Sequence, residues 1–202
     1  MQKPIIPLPY NPFSGLAEGE WSQAIVPKSF AQEVWSHLQD AKPRIMVLLG
    51  PKGRGKTSHL RYFFEQFSGP KMLCSHPNTL PEKEALQGLD LLCLDNVERL
   101  PFWQRRYLYQ AVPLVILTAH FPRPWEYLGL GKKVHHYRVR GIDRKILELA
   151  LDRRYQLSSQ GGLMKAPFSS EELDHLLYSH GDHFRGIMEA LFKKYADEWK
   201  TI

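Results

Sequence analysis

The sequence predicts a three-layer α/β fold, in which helices cover both faces of a parallel five-stranded sheet and a small all-helical lid follows. Short apolar runs of strand length alternate with amphipathic stretches of helical spacing, the pattern typical of parallel sheets. A glycine-rich loop connects the first apolar run to the helix after it. Residues 142–202 show only helical patterns. These three observations separate an α/β domain from a helical one.

The chain begins with a proline-rich stretch that lacks helical periodicity, and we predict an N-terminal arm over residues 1–28. We expect the arm to lie on the α/β core, with Asn11-Pro12-Phe13 as an aromatic anchor; a loose tail is the alternative. Ser29 is a candidate N-cap for an amphipathic helix that ends near Ala41. This helix is placed to form a wall of an adenine site, although packing alone also explains its aromatic residues.

The glycine-rich loop matches the pattern G-x-x-x-x-G-K-[ST] without a mismatch and stands between the apolar run 45–49 and a helical pattern. In this context the backbone N–H groups and the helix N-terminus bind phosphate oxygens. Lys56 is predicted to reach the β- and γ-phosphates, and Thr57 to bind Mg²⁺. A chance match in a glycine-rich turn is the alternative. The predicted nucleotide-binding residues are Gly50, Pro51, Lys52, Gly53, Arg54, Gly55, Lys56, Thr57 and Ser58.

A second buried strand ends in a carboxylate. After a short strand at 71–74 and a short helix at 81–86, the apolar run 91–94 is followed directly by Asp95. In phosphate-loop enzymes such a carboxylate holds Mg²⁺, so Asp95 is predicted to be the second metal-binding residue beside Thr57. The alternative is an aspartate that caps a strand–loop turn.

The residue after Asp95 bears on hydrolysis. Many hydrolytic phosphate-loop enzymes carry a glutamate there, but this chain has Asn96, which is a poor general base. Glu98 is the nearest carboxylate, two positions on. We therefore predict slow hydrolysis. The strand 114–118 ends in Thr118, which is predicted to hydrogen-bond the γ-phosphate or the attacking water.

A basic segment over residues 131–145 follows and contains a fifth strand near 134–139. Gly141 marks the boundary between the predicted nucleotide-binding core, residues 29–141, and the predicted helical lid, residues 142–202. The lid patterns indicate one helix from residue 142, one from residue 169, and a last helix capped by Asp182.

The amino-acid composition limits the partners and the cellular compartment that we expect for this protein. The net charge is +6, which permits contact with nucleic acid without requiring it. No run of 18 apolar residues is present, so we expect no transmembrane helix and no membrane partner. The N-terminus lacks the pattern of a secretory signal. Cys74 and Cys93 lie in strand-like runs and are interpreted as buried thiols of a cytoplasmic protein.

In the order of its motifs the chain resembles the AAA+ ATPases: phosphate loop, strand ending in aspartate, strand ending in a polar residue, and helical lid. The segment 180–191 is similar to the sensor 2 helix of the DnaA replication-initiator branch. The segment 94–98 resembles the Hda-type DnaA regulators. The Asn-Pro-Phe arm looks more like that of the ATPases that serve transposition or secretion.

This resemblance implies ATP and Mg²⁺ as cofactors and assembly of several copies around the nucleotide. It also implies that Arg185 is the sensor 2 arginine, which contacts the nucleotide across the cleft between core and lid. The pattern departs from the family in two ways. No clear arginine finger is present, although Lys132, Lys133, Arg123 and Arg138 lie in that region, and no helix-turn-helix follows the lid pattern.

The sequence thus predicts a slow ATPase that uses Lys56, Asp95, Asn96, Thr118 and Arg185. It would act as a nucleotide-controlled oligomeric switch in a DNA transaction such as replication control or transposition targeting. Its basic surface would contact the DNA backbone without reading bases. The alternative is a nucleotide-dependent adaptor that grips a protein partner and makes no DNA contact. A small-molecule kinase is disfavoured, because no arginine-rich acceptor lid is evident between the strands.

Overall fold

The computed structural model describes residues 11–40, 42–75, 81–159 and 166–199. The first ten residues of the predicted arm lie outside this part of the chain. Two compact units are present: residues 27–140 form one, and the residues up to Val26 together with those from Gly141 onward form the other. The described part of the arm up to Val26 therefore belongs to the same unit as the C-terminal helices, whereas Pro27 and Lys28 belong to the α/β unit.

The α/β unit contains a five-stranded sheet in which every strand pair is parallel, as the sequence predicts. The strand order is β2-β3-β4-β1-β5. The strand that comes first in the sequence, β1, therefore lies inside the sheet, with β4 on one side and β5 on the other. The strands are β1 (Arg44–Leu49), β2 (Lys71–Ser75), β3 (Leu91–Asp95), β4 (Leu114–Ala119) and β5 (Lys133–Arg138).

Helices cover both faces of the sheet. Alternate residues of β1 point to opposite faces: Ile45, Val47 and Leu49 join one apolar cluster, and Met46 and Leu48 join the other. The first cluster includes residues of α4 (Phe102–Ala111), and the second includes residues of α2 (Phe30–Gln39) and α3 (Lys56–Gln66). Because β1 is buried on both faces, its sequence is uniformly apolar after Arg44. This is the predicted three-layer α/β fold with a parallel five-stranded sheet.

Several local predictions differ from the structure. The short helix expected at 81–86 is a 3₁₀ turn over Glu84–Leu86, and β5 begins one residue earlier than expected. Ser29 stands before α2 without making a side-chain capping hydrogen bond.

The first turn of the last helix is bonded by His183, the residue just before it. The N–H of Gly186 donates to His183 Nδ1 at 3.0 Å. An imidazole nitrogen thus accepts a hydrogen bond at this helix N-terminus, and the predicted cap by Asp182 stays a prediction.

In the described part of the second unit, the longer helices are α5 (Arg144–Ser158), α6 (Ser170–His180) and α7 (Phe184–Trp199). A complete capping box starts α6, because Ser169 accepts from the Glu172 N–H and Glu172 accepts from the Ser169 N–H. Apolar residues of the three helices surround Leu147, Leu151 and Ile187, which are fully buried. A short helix, α1 (Trp21–Ala24), contacts α5.

The aromatic anchor of the arm lies inside this helical unit. Phe13 is buried against the rings of Tyr155, Phe168 and Tyr195, with centroid distances of 5.9, 6.0 and 5.5 Å. Arg154 donates to the backbone carbonyls of Pro12 and Ser14 at 3.3 and 3.0 Å. The arm segment is thus a structural part of the helical unit and not a loose tail. None of the described helices is long and apolar enough to cross a membrane.

Candidate phosphate-loop site

The loop between β1 and α3 has a backbone that only glycine adopts easily. Gly53 and Gly55 have φ angles of 79° and 89°, in the left-handed region. Gly55 is the N-cap of α3, so its conformation turns the chain into the helix. At Gly50 a Cβ would lie 2.7 Å from the carbonyl oxygen of Val139. The glycines of the motif therefore have a steric reason at these positions, and the N-terminus of α3 opens onto the loop.

Lys56 curls back over the loop. Its ammonium donates to the carbonyl oxygens of Gly50 and Pro51 at 2.6 and 2.9 Å, and the residue is 8% exposed. A cation held by two loop carbonyls at the N-terminus of α3 is suited to receive an anion. Phosphate oxygens would replace the two carbonyls as acceptors.

Three side chains from three elements meet at the carboxyl end of the sheet. Thr57 Oγ1 lies 3.2 and 3.0 Å from the two carboxylate oxygens of Asp95. Thr118 Oγ1 donates to Asp95 Oδ1 at 2.6 Å. The carboxylate is almost fully buried, with 1% of Asp95 exposed, so these two hydroxyl donors compensate much of its lost hydration. The strand order explains the meeting, since β4 stands between β1 and β3.

The donor set fits Mg²⁺. A hard divalent ion prefers hydroxyl and carboxylate oxygens, and octahedral ligands about 2.1 Å from the ion lie about 3 Å apart. The hydroxyl of Thr57 and one carboxylate oxygen of Asp95 are already separated by 3.0 Å. These two residues would hold the ion when it arrives with a nucleotide, and the ion would neutralise phosphate charge.

The segment after Asp95 places its polar groups at the end of β4. Asn96 has a left-handed φ of 56°, and its N–H donates to Thr118 Oγ1 at 3.2 Å. Glu98 is half-buried and accepts from the N–H of His120 at 3.3 Å. The carboxylate of Glu98 is thus held beside the residues that follow Thr118. Its position makes Glu98 a second candidate, besides Asn96, for the residue that orients water.

Two residues that the sequence reading missed support the loop from below. Lys28 Nζ donates to the carbonyl of Arg54 at 3.3 Å, and it also donates to the carbonyl of Arg140. His59, on the first turn of α3, has its Nδ1 at 2.9 Å from the carbonyl of Gly55. Its Nε2 accepts from the backbone N–H of Lys28 at 3.4 Å. No sequence signal marks either residue, because both act through backbone atoms distant in the chain.

The hydrogen bonds of His59 require a neutral ring. Nε2 accepts a hydrogen bond from the backbone N–H of Lys28, so the ring proton must be on Nδ1, which donates to the Gly55 carbonyl. Burial lowers the pKa of His59 to about 4, with the Gly55 carbonyl raising it and the Lys28 ammonium lowering it further. The imidazole also packs on the ring of Phe30, 5.1 Å away between centroids. His59 therefore acts as a neutral strut under the phosphate loop.

The other predicted binding residues of the loop differ in exposure. Pro51 and Lys52 are exposed, and Arg54 and Ser58 are half-buried. Arg185 is exposed at the second position of α7, in the helical unit. Its predicted contact with the nucleotide stays a prediction.

The basic residues considered for an arginine-finger role divide by their contacts. Lys132 is engaged inside its own chain: its Nζ donates to the carbonyl of Tyr109 at 2.5 Å and also to that of Val112, at the C-terminus of α4. Burial lowers the pKa of Lys132 to about 8. Lys133 and Arg138 are exposed on the edge strand β5. Lys132 therefore stabilises α4, and the other two are accessible to a partner.

Comparison with known proteins adds limited information. No family model matches the sequence, and no curated protein matches it. One similar solved structure concerns two coordinating Pif1 helicases that unwind forked double-stranded DNA. It is 16% identical to this chain, with a TM-score of 0.39. The match covers 78% of this chain and 52% of that chain. The chain thus spans about half the length of that helicase chain.

A second solved structure, the Thermotoga maritima RuvB Holliday junction branch migration motor, is 15% identical with a TM-score of 0.43. The match covers 83% of this chain and 69% of the RuvB chain. The fold assignment made above rests on the strand order and loop geometry of this chain itself.

Proposed function

We propose that this protein binds ATP with Mg²⁺, hydrolyses it slowly, and uses the bound nucleotide to control its own assembly. The observation that carries the proposal is the convergence of Lys56, Thr57, Asp95 and Thr118 at one edge of the sheet, over an anion-binding loop. A basic group, a hard-metal pair and a polar group at the end of β4 are the parts that phosphoryl transfer requires.

Each residue has a stated role in this proposal. Lys56 exchanges its carbonyl acceptors for β- and γ-phosphate oxygens, while Thr57 and Asp95 hold the metal. Thr118 releases its hydrogen bond to Asp95, or shares it, and orients the γ-phosphate or the attacking water. Hydrolysis is slow because Asn96 cannot accept a proton. If Glu98 supplies the base instead, Glu98→Gln will lower turnover and Asn96 will have no influence.

Nucleotide binding is tested by Lys56→Ala, with Lys52→Ala as the matched control. Both remove a lysine from the same loop, but Lys52 is exposed and Lys56 is buried against the loop carbonyls. A fluorescent ATP analogue titrated in the presence of Mg²⁺ should bind to the wild type and to the control and fail to bind to Lys56→Ala. Circular dichroism checks that the variant is folded. Unchanged affinity in folded Lys56→Ala would contradict the proposal.

The process in which the switch acts is proposed from the AAA+ and DnaA-like motifs, and a protein of that class would work in the cytoplasm. Cys74 and Cys93 are both free thiols, which is compatible with a reducing compartment. The exposed cations Lys133, Arg138 and Arg140 lie on or just after the edge strand. They offer phosphate-backbone contacts of the sequence-independent kind.

DNA contact is tested by the salt dependence of binding. Lys133→Glu with Arg138→Glu should weaken binding to a random-sequence duplex and make the dependence of log K on log salt shallower by about one for each lost phosphate contact. Lys193→Glu on α7 is the control, since it changes the net charge at another surface. Equal loss in both variants would show a non-local charge effect. No binding by the wild type at low salt would remove the DNA role.

One observation favours the alternative, a nucleotide-dependent adaptor for a protein partner. Large apolar side chains are exposed on α4 and on the segment after β4, where Arg106 joins the two by bonding the carbonyls of Glu126 and Leu128. Such a surface is typical of protein contacts. The side chains are Phe102, Trp103, Phe121, Trp125 and Leu128. The adaptor reading predicts partner binding that salt barely affects and that Trp103→Ala abolishes.

A further inference from the structure

Outside the phosphate-loop site, three side chains with metal-ligand atoms meet between α2 and β5. Glu33 and His37 are one helical turn apart on α2, so they lie on the same face. His135 is in the edge strand β5, on the face that α2 covers, as its neighbour Tyr137 shows by packing with Phe30 at 5.9 Å. One ligand atom from each of the three lies within 4.8 Å of the others.

The two histidines face each other with buried nitrogens that lack hydrogen-bond partners. Their ring centroids are 4.0 Å apart. Nε2 of His37 and Nε2 of His135 are both shielded from solvent, and neither makes a hydrogen bond within the described residues. Glu33 Oε1 is 3.7 Å from His37 Nε2, beyond hydrogen-bonding distance. Buried polar atoms are normally satisfied, so two orphaned imidazole nitrogens beside a carboxylate need an explanation.

We propose that Glu33, His37 and His135 form a Zn²⁺ site that joins helix α2 to the edge strand β5. Two imidazoles and a carboxylate are a common zinc donor set, and a fourth position remains for water or a ligand. Ligand atoms around tetrahedral Zn²⁺ are about 3.3 Å apart, given metal–ligand distances of about 2.0–2.1 Å. The 3.7 Å pair and the 4.8 Å limit on the set therefore require only about an ångström of side-chain movement.

The charges around the cluster are compatible with a cation. Burial lowers the pKa of His135, with smaller lowering contributions from His37 and Arg44 and an opposing one from Glu33. Arg44, the first residue of β1, has its guanidinium paired with Asp40 and donates to the carbonyl of His37 at 3.1 Å. Lys133 is exposed to solvent. The carboxylate of Glu33 supplies the local negative charge.

The site is chemically distinct from the Mg²⁺ pair at the phosphate loop. Imidazole ligands select zinc and its neighbours among the transition metals, whereas Mg²⁺ is bound by oxygen atoms. The two metals would therefore not compete for the same residues. This inference does not depend on nucleotide binding, because none of Glu33, His37 and His135 belongs to the phosphate-loop site.

A metal here would tie down an element that reaches the phosphate loop. The first residue of α2, Phe30, packs on the rings of His59 and Tyr137 at 5.1 and 5.9 Å. His135 lies next to Tyr137 with a ring distance of 6.4 Å. The same helix thus carries two zinc ligands and the aromatic wall beside the loop. Zinc would stabilise the edge strand and this wall together.

The test is a calorimetric titration of full-length protein with Zn²⁺, after dialysis against a chelator and without nucleotide or Mg²⁺. We expect one ion per chain in the wild type. His37→Gln and His135→Gln should each weaken binding by at least about 10- to 100-fold, since even outer-shell changes have that effect at zinc sites. His175→Gln, an exposed histidine of α6, is the control and should leave the affinity unchanged.

A second readout guards against variants that fold poorly. Co²⁺ replaces Zn²⁺ and reports tetrahedral nitrogen and oxygen ligation by its visible absorption. Wild type and the control should show this spectrum, and zinc should raise their melting temperature. Folded His37→Gln and His135→Gln, checked by circular dichroism, should show neither effect. Zinc binding that survives both substitutions, or no saturable binding by the wild type, would overturn the assignment.

Discussion

Acid should destabilise the α/β unit through His59. The imidazole is 3% exposed, and both of its nitrogens are used: one lies 2.9 Å from the carbonyl of Gly55 and the other accepts from the N–H of Lys28. A second ring proton has no acceptor in this position and would displace the Lys28 N–H. The folded protein therefore resists protonation at His59, whereas the unfolded chain accepts it freely.

The size of the effect follows from the two pKa values. The pKa is 6.5 in the unfolded reference and about 4 in the folded protein, because burial lowers it. Stability from this residue is fully present above the unfolded pKa and falls as the pH drops toward the folded one. The free energy of unfolding should decrease by roughly 2 kcal/mol between about pH 7 and pH 5. The total decrease is about 3.4 kcal/mol once the pH lies well below both pKa values.

The assay is urea unfolding of the wild type and of His59→Asn at several pH values in this window. Asparagine retains a donor for the Gly55 carbonyl and does not titrate. The variant should be less stable at neutral pH and lose less stability on acidification, so that the two curves converge by roughly 2 kcal/mol. The matched control is His175→Asn, at an exposed position, whose curve should parallel the wild type.

Either of two results would contradict this role of His59. The first is a parallel loss of stability in His59→Asn and the wild type between pH 7 and pH 5, which would show that His59 contributes no linkage. The second is titration of the His59 ring near its ordinary pKa in the folded protein, as followed by NMR. Either result would mean that the neutral strut under the phosphate loop is wrongly assigned.

Four further outcomes are expected. Thr118→Val removes a hydroxyl that donates to a buried carboxylate at 2.6 Å and should cost about 2 kcal/mol in urea unfolding; a neutral result would mean that the bond is not formed in solution. Asn96→Glu should raise steady-state ATP turnover at least about tenfold if only the general base is missing. The left-handed backbone at this position does not change that expectation. Unchanged turnover with normal ATP affinity would contradict it. Arg185→Ala should weaken ATP-dependent assembly in light scattering more than it weakens nucleotide binding, with Lys193→Ala as the control on the same helix; a wild type that stays monomeric at saturating ATP would remove the assembly role. Phe13→Ala should destabilise the helical unit by about 3–5 kcal/mol, measured by hydrogen exchange of the helical-unit amides, because a buried ring among three others is lost; exchange at wild-type rates would show that the arm is dispensable.

Much of the α/β unit is readable from local patterns. Apolar runs of four to six residues between breakers identify the strands, and these runs are distinctive because strands covered on both faces contain few polar residues. The glycine motif predicts a loop whose backbone the structure then shows to be left-handed at Gly53 and Gly55. The sequence pattern predicts a strand less clearly where burial is partial. In β5 buried and exposed residues are mixed, and the strand starts one residue before the predicted position.

The candidate site could be predicted only where residue type and strand end coincide. Asp95 and Thr118 each follow an apolar run, so their placement at one sheet edge follows from parallel topology. Lys28 and His59 could not be found in this way, because they support the loop through backbone atoms far away in the sequence. The roles of the basic residues were also not predictable from the sequence. Lys132 and Lys133 look equivalent there, yet Lys132 caps α4 while Lys133 is exposed.

By itself, the sequence determined the fold class, the phosphate loop and the order of the elements, because those depend on spacing along the chain. The tertiary structure decided which distant groups share a small volume. It inserted β4 between β1 and β3 and so brought Thr57, Asp95 and Thr118 together. It also paired α2 with β5 to bring His37 onto His135. Such meetings depend on strand order and helix docking, and the free energy that selects these is spread over the whole core, so no local pattern encodes them.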